Sequence, residues 1–154
     1  MIAPMLDRIR KYLTAEERSP PDELEIAVAV LLIDAARMDG VFDRHERATI
    51  ERLLARRFEL TRDDTEELLS LAEETAWRSQ QLQPFTLLAV EHMEPQRRVR
   101  LIEMLWDVAY ADEKLDPHED ELLHRIAGMI DVTDEEREAA KHRVLRWLQQ
   151  KHNR

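Results

Sequence analysis

The sequence predicts an all-α fold: a compact, single-domain helical bundle of about seven to eight helices with an internal pseudo-two-fold repeat. Apolar and polar residues do not alternate over any convincing strand length. The 154 residues include only two glycines, so the glycine-centred turns of β-hairpins are missing. Helix-start patterns follow the loops instead. These patterns are Asp22-x-x-Glu25, Asp43-x-x-Glu46, Asp116-x-x-Glu119 and Asp134-x-x-Arg137.

The start patterns place eight helices along the chain. In the first three, the N-cap aspartate accepts a hydrogen bond from the N3 amide while the glutamate reaches back, which forms a capping box. Pro84, Pro95 and Pro117 suit the first helical position, where no amide hydrogen is needed. The run 26–33 is rich in β-branched residues, but its flanking cap and its counterpart later in the chain favour a buried central helix. The predicted helices are 3–13, 23–38, 44–57, 62–79, 84–92, 95–111, 117–130 and 134–151.

The first 21 residues are expected to form an appendage to the main domain. An apolar set at helical spacing predicts an N-terminal amphipathic helix over 1–13. Its members are Ile2, Met5, Leu6, Ile9 and Leu13. This helix packs on the domain's own core or docks on a membrane surface or a partner. Ser19-Pro20-Pro21 indicates a linker over 14–21, which leaves 22–151 as the helical domain.

Composition excludes several classes of protein. Without cysteine there is no disulfide framework, thiolate metal site or thiol nucleophile. Two isolated glycines exclude a dinucleotide fingerprint or a phosphate loop, and a formal net charge of −10 argues against nucleic acid as a partner. No apolar run approaches the roughly 20 residues of a membrane span, and the charged start of the chain is unlike a signal peptide. We expect a cytoplasmic protein without a transmembrane segment, with a peripheral position at the inner face of the membrane as the alternative.

An internal repeat is the strongest signal in the sequence. When the chain is shifted by 73 residues, 32–52 lies over 105–125 and eight of the 21 positions are identical. Average residue usage would give roughly two identities by chance. Each unit consists of a helix, an acidic turn, a second helix and a third helix that begins at a threonine. Because a helical hairpin cannot bury its apolar face alone, we expect the two units to pack against each other.

The two acidic turns carry the candidate metal ligands. Each copy supplies an aspartate inside the preceding helix, one at the end of that helix, one four residues later, and a glutamate three residues beyond. The eight residues are Asp34, Asp39, Asp43, Glu46, Asp107, Asp112, Asp116 and Glu119. Oxygen ligands of this kind suit calcium, magnesium or manganese, and zinc if a histidine joins. Two other interpretations stay open: recognition of a partner by the acidic turns, or capping combined with internal salt bridges.

Asp34 and Asp107 stand out because they lie among large apolar residues in both copies. A buried carboxylate needs hydrogen bonds, a cation or a raised pKa. Two carboxylates about 6 Å apart at an effective dielectric constant near 20 repel each other by roughly 3 kcal/mol. If the turns converge, a positive group should therefore lie between them. The candidates are a divalent ion, His45 and His118, or nearby arginines.

Other notable residues receive a structural interpretation. Trp77, Trp106 and Trp147 are predicted to fill the core or its rim. The arginines of 97–100 are predicted to form a solvated helix face, which is common in a chain with 36% charged residues. The pattern over 121–124 matches one Glu-x-x-His unit of a di-iron bundle, but such a site needs two units.

Two turn sequences carry a resemblance to a known family. They run Ala36-Arg-Met-Asp39-Gly-Val-Phe-Asp43-x-x-Glu46 and Ala109-Tyr-Ala-Asp112-Glu-Lys-Leu-Asp116-Pro-His-Glu119, and an acidic residue precedes each in its flanking helix. Over approximately 22–148 the chain resembles the tellurite-resistance TerB-like family. It departs from the family pattern in two ways. Glu113 replaces a glycine, and aspartate replaces the usual glutamate at 34 and 107.

The resemblance implies a compact helical bundle whose clustered acidic residues bind metal, and an association with stress-response or membrane-linked complexes. Catalysis is not established for such domains. We therefore expect a non-enzymatic module of a stress-related complex that holds a divalent cation (calcium, magnesium, manganese or zinc) or a protein partner, with a membrane-associated complex as one candidate partner. The alternatives are a metal-dependent hydrolase, in which the same carboxylates activate a water molecule, and a purely scaffolding helical domain.

Overall fold

A computed structural model describes residues 21–37, 42–79, 81–111 and 117–152. The described residues form seven helices and no strand, so the predicted all-α bundle is confirmed. The helix predicted over 3–13 and residues 14–20 of the linker predicted over 14–21 lie outside the described residues. The helices are α1 (Glu23–Ala36), α2 (Arg44–Phe58), α3 (Arg62–Arg78), α4 (Gln83–His92), α5 (Pro95–Ala109), α6 (Pro117–Met129) and α7 (Asp134–His152).

The first helix, α1, lies at the centre of the bundle. Every residue from 27 to 33 is buried, as are 35 and 36, because α3, α4 and α5 pack around this helix. A helix that is apolar on all sides is expected in such a position. The tempting strand interpretation of 26–33 is therefore excluded. No helix in the described ranges is long and apolar enough to cross a membrane.

The predicted helix starts are formed largely as expected. Asp22 caps α1 and Asp43 caps α2, each in a complete capping box with the glutamate three residues later. The start of α7 differs, because Thr133 is the residue that caps it. Its Oγ1 accepts a hydrogen bond from the amide of Glu136 at 3.1 Å, and Glu136 Oε1 accepts one from the Thr133 amide at 3.0 Å. Asp134 is thus the first residue of the helix, where its charge favours the helix dipole.

The ends of α1 and α5 were each predicted two residues too long. α1 ends at Ala36 and Arg37 is its C-cap. At the end of α5, the amide of Ala111 bonds to the carbonyl of Val108 at 3.1 Å, so the chain tightens into a turn instead of continuing the helix. Both helices therefore end a few residues before the acidic residues of a turn sequence.

The helices of the two predicted repeat units follow the same order, with α1–α2–α3 in one and α5–α6–α7 in the other. The turns after α2 and α6 also correspond, because Glu59 and Asp131 both have positive φ, 53° and 60°. The next amide in each turn bonds to a carbonyl five residues earlier, as in a Schellman motif. The two bonds are Leu60 N to Ala55 O at 3.0 Å and Val132 N to Ala127 O at 2.9 Å. The pseudo-two-fold relation between the units stays a prediction.

The three tryptophans occupy different environments. Trp106 is completely buried and stacks on Tyr110, with ring centroids 5.8 Å apart. Trp147 lies at the rim and is partly exposed. Trp77 is 79% exposed, so its assignment to the core or rim was wrong. It is the penultimate residue of α3, where the guanidinium of Arg37 lies 5.8 Å from the centre of its ring.

Candidate functional site

The described residues include five of the eight candidate ligands: Asp34, Asp43, Glu46, Asp107 and Glu119. The other three candidates, Asp39, Asp112 and Asp116, lie outside the described residues, and so does the side chain of His118. The five fall into two groups. Two aspartates lie in the last turns of α1 and α5, and the other three residues lie at the starts of α2 and α6.

Asp34 lies in the last turn of α1, and its side chain is 15% exposed. Arg37 donates two hydrogen bonds to its Oδ1, from Nε at 3.2 Å and from Nη2 at 2.9 Å. The same Nη2 donates to the carbonyl of Ala76 at 2.9 Å, which joins the end of α1 to the end of α3. Burial raises the pKa of Asp34 above its usual value, although the charge and hydrogen bonds of Arg37 act in the opposite direction.

Asp107 occupies the corresponding position in α5, and its side chain is 17% exposed. Arg52 of α2 approaches it, with Nη2 3.7 Å from Oδ2, so this ion pair links α2 to α5. Burial raises the pKa of Asp107, while the positive charges of Arg52, Lys151 and Arg56 lower it by less. Asp34 and Asp107 are therefore similar in burial and in the direction of their pKa shifts. They differ in their arginines, because Arg37 caps the helix that carries Asp34, whereas Arg52 lies on a different helix from Asp107.

The start of α2 holds the next two carboxylates. Asp43 Oδ1 accepts a hydrogen bond from the Glu46 amide at 2.8 Å, and Glu46 Oε1 accepts one from the Asp43 amide at 3.3 Å. Glu46 is 2% exposed, and so is Glu119, its counterpart in the first turn of α6. The capping box thus fixes the side chains of Asp43 and Glu46. It accounts for their position without any bound ion.

The donor chemistry fits a hard divalent cation, since every candidate offers carboxylate oxygens. Within the described ranges, however, no three His, Asp or Glu side chains lie close enough together to hold a metal ion. A complete ligand set on these turns would therefore need at least one of Asp39, Asp112 and Asp116.

An arginine forms an ion pair with each of Asp34 and Asp107. Arginine was one of the three kinds of positive group that the sequence suggested beside these carboxylates. Arg37 was detectable in the sequence, because residues three apart are neighbours on a helix. Arg52 was not assigned to Asp107, because their contact depends on how α2 packs against α5. His45, another candidate for this role, is exposed.

The raised pKa values of Asp34 and Asp107 predict how stability changes with pH. The folded chain keeps these protons to a higher pH than the unfolded chain, so ionisation of the two groups opposes folding. The penalty is absent below the unfolded pKa, near 3.9, and grows as pH rises through the raised folded values. We compare the wild type with the variant that carries Asp34→Asn and Asp107→Asn. The free energy of unfolding of the variant, measured by urea unfolding, should increase relative to that of the wild type as the pH rises from 3.5 to 7. A relative loss over this range would contradict the prediction.

Comparison with protein families matches residues 25–142 to the family described as "Tellurite resistance protein TerB". The match includes both acidic turns and helices α2 to α6 in full. Searches of the curated proteins and of the solved structures find no match. Because the matched segment is much more than half of the 154 residues, and because the bundle is all-α, this chain belongs to the TerB family of tellurite resistance proteins.

Proposed function

We propose that this chain is a non-enzymatic TerB-like module whose acidic turns bind a divalent cation. The observation that carries the proposal is the placement of Asp34 and Asp107. Both are largely buried carboxylates in the last turns of their helices, α1 and α5, and they lie at corresponding positions of the two predicted repeat units. The family's description as tellurite resistance proteins supports a role in a stress response. We place this role in the cytoplasm, within a protein complex, and a complex at the inner face of the membrane is the alternative.

A contribution to the stability of the fold does not explain the positions of Asp34 and Asp107. A negative charge near the C-terminal end of a helix opposes the helix dipole, and burial disfavours the charged form of both side chains. The two arginines reduce this cost, but the raised pKa values mean that they do not remove it. A cation beside these carboxylates would remove more of it, because a divalent ion carries twice the charge of a guanidinium.

The capping carboxylates supply the second half of the proposed ligand set. Asp43 and Glu46 begin α2 and are held by their own backbone hydrogen bonds, so little conformational entropy would be lost when an ion binds. The chain between the end of α1 and the start of α2 carries Asp39, and the corresponding chain in the second unit carries Asp112 and Asp116. Either turn would thus offer the oxygen ligands that calcium, magnesium and manganese prefer.

Isothermal titration of chelator-treated protein with calcium, magnesium, manganese and zinc tests the proposal. We expect heat of binding for at least one ion. In the variant with Asp34→Asn and Asp107→Asn, the affinity should fall by about 10- to 100-fold or more, since losing even an outer-shell partner of a metal costs about that much.

A matched control carries Asp63→Asn and Glu135→Gln, which change the net charge equally at exposed first-turn positions of α3 and α7. Its affinity should equal that of the wild type. Absence of heat for all four ions would overturn the proposal, and equal weakening in both variants would reduce it to general charge attraction. The capping boxes and the arginine pairs would then be a sufficient account of the acidic turns.

A further inference from the structure

A groove between α2, α5 and α7 gathers positive charge on a protein whose net charge is −10. The groove has a volume of about 400 Å³. Four arginines line it: Arg56, Arg57, Arg100 and Arg143. The interpretation of 97–100 as an ordinary solvated face was therefore incomplete, because packing brings arginines of three helices to one place.

The arginines of the groove are only partly neutralised. Glu103 accepts a hydrogen bond from Arg143 Nε at 2.6 Å, and its other oxygen lies 3.8 Å from Arg100 Nη1. Within the described ranges, neither Arg56 nor Arg57 forms an ion pair with a carboxylate. The pKa of Arg57 is lowered, first by burial and then by its positive neighbours Arg97 and Arg100. The groove therefore holds uncompensated positive charge.

The same groove has an apolar side. Leu53, Met104, Val144 and Trp147 contribute to its lining. Trp147 is partly exposed, and Arg52 and Lys151 lie over its ring at 5.9 Å and 5.2 Å. A ligand in this groove would therefore meet guanidinium groups and apolar carbon together. A purely charged ligand would leave the apolar surface unused.

We propose that this groove is a docking site for an acidic segment of a protein partner, in which carboxylates bind the arginines and an apolar side chain packs against Met104 and Trp147. Arginine suits this task because its planar guanidinium pairs with a carboxylate through two parallel hydrogen bonds. Partly exposed tryptophan and arginine are also the residue types that dominate binding energy at protein interfaces.

The distribution of charge favours a peptide over a nucleic acid. The groove is a local feature with two carboxylates of its own, Glu103 and Asp107. A nucleic-acid surface needs a long basic stripe that follows many phosphates, and the net charge of −10 would repel such a polymer at a distance. A short acidic segment can reach the groove with few charges outside it.

Fluorescence anisotropy tests this docking site with a labelled peptide in which pairs of glutamates alternate with leucine. The titration uses the 154-residue chain in EDTA, so that its outcome does not depend on cation binding. We expect binding that is lost when glutamine replaces the glutamates. The variant with Arg57→Gln and Arg100→Gln should bind about tenfold more weakly or worse, since charge-assisted hydrogen bonds are among the strongest polar contacts.

The matched control carries Arg62→Gln and Arg78→Gln, which remove two exposed arginines from α3. It should bind like the wild type, and circular dichroism should show that both variants are folded. Trp147→Ala should weaken binding severalfold without a change in net charge. The proposal is overturned if the peptide does not bind, if both arginine variants lose affinity equally, or if duplex DNA binds through the groove and the peptide does not.

Discussion

Replacement of Trp106 by alanine is expected to reduce the free energy of unfolding by about 3–5 kcal/mol. The side chain, on α5, is completely buried and stacks on Tyr110, and Lys141 Nζ lies 5.0 Å from the centre of its ring. Its removal leaves a cavity that the surrounding helices can fill only in part. A loss of this size is a large share of the 5–15 kcal/mol that stabilises a typical domain. Urea unfolding followed by far-ultraviolet circular dichroism measures it.

Trp77→Ala is the control for this prediction, because it is the same substitution at an exposed position. Trp77 is near the end of α3 and is 79% exposed, and the guanidinium of Arg37 lies 5.8 Å from the centre of its ring. We expect its free energy of unfolding to stay within about 0.5–1 kcal/mol of the wild type. Similar losses in the two variants would contradict the assignment of Trp106 to the core and of Trp77 to the surface.

Arg37→Ala is expected to cost roughly 2–3 kcal/mol of stability. Arg37 makes two hydrogen bonds to Asp34 and one to the carbonyl of Ala76, so its loss leaves a largely buried carboxylate without that partner and detaches α1 from the end of α3. The estimate lies below the about 3–5 kcal/mol typical of a broken buried ion pair because the Arg37 side chain is 30% exposed. Urea unfolding at pH 7 gives the value.

A double-mutant cycle distinguishes this pair from a general effect of losing an arginine. Asp34→Asn in the Arg37→Ala background should recover part of the lost stability, because the isolated charge is then gone. Arg78→Ala removes an exposed arginine that pairs with Glu74 within α3, and should cost less than about 1 kcal/mol. A loss for Arg37→Ala no larger than that of Arg78→Ala would contradict the proposed role of the pair.

Local signals in the sequence predicted most of the fold. Capping boxes at Asp22 and Asp43 depend on residues three apart, so they could be identified without knowing the packing. The central position of α1 followed from its uniform hydrophobicity. The exposure of Trp77 was not predictable in this way, because an aromatic residue near a helix end packs or protrudes according to its neighbours in space. The helix ends were also less certain, since the last turn of α5 tightens without a glycine or proline to mark it.

The candidate site was only partly predictable for the same reason. The sequence identified Asp34 and Asp107 as unusual carboxylates, and both are largely buried. The identity of their counter-ions was left open, since Arg52 lies 55 positions before Asp107 in the chain and reaches it only through the packing of α2 on α5. The groove between α2, α5 and α7 was not predicted, because its arginines come from three helices and only those of 97–100 were noted, as part of a solvated helix face.

Manganese titration followed by nuclear magnetic resonance tests the central claim, that the acidic turns bind a divalent cation, most directly. The paramagnetic ion broadens amide signals near its binding site, so the spectrum of ¹⁵N-labelled protein locates the ion residue by residue. At low manganese concentration, selective broadening of signals from 34–46, from 107–119 or from both is expected. Broadening centred instead on the acidic first turn of α3, around Asp63 and Asp64, or no selective broadening at all, would contradict the account.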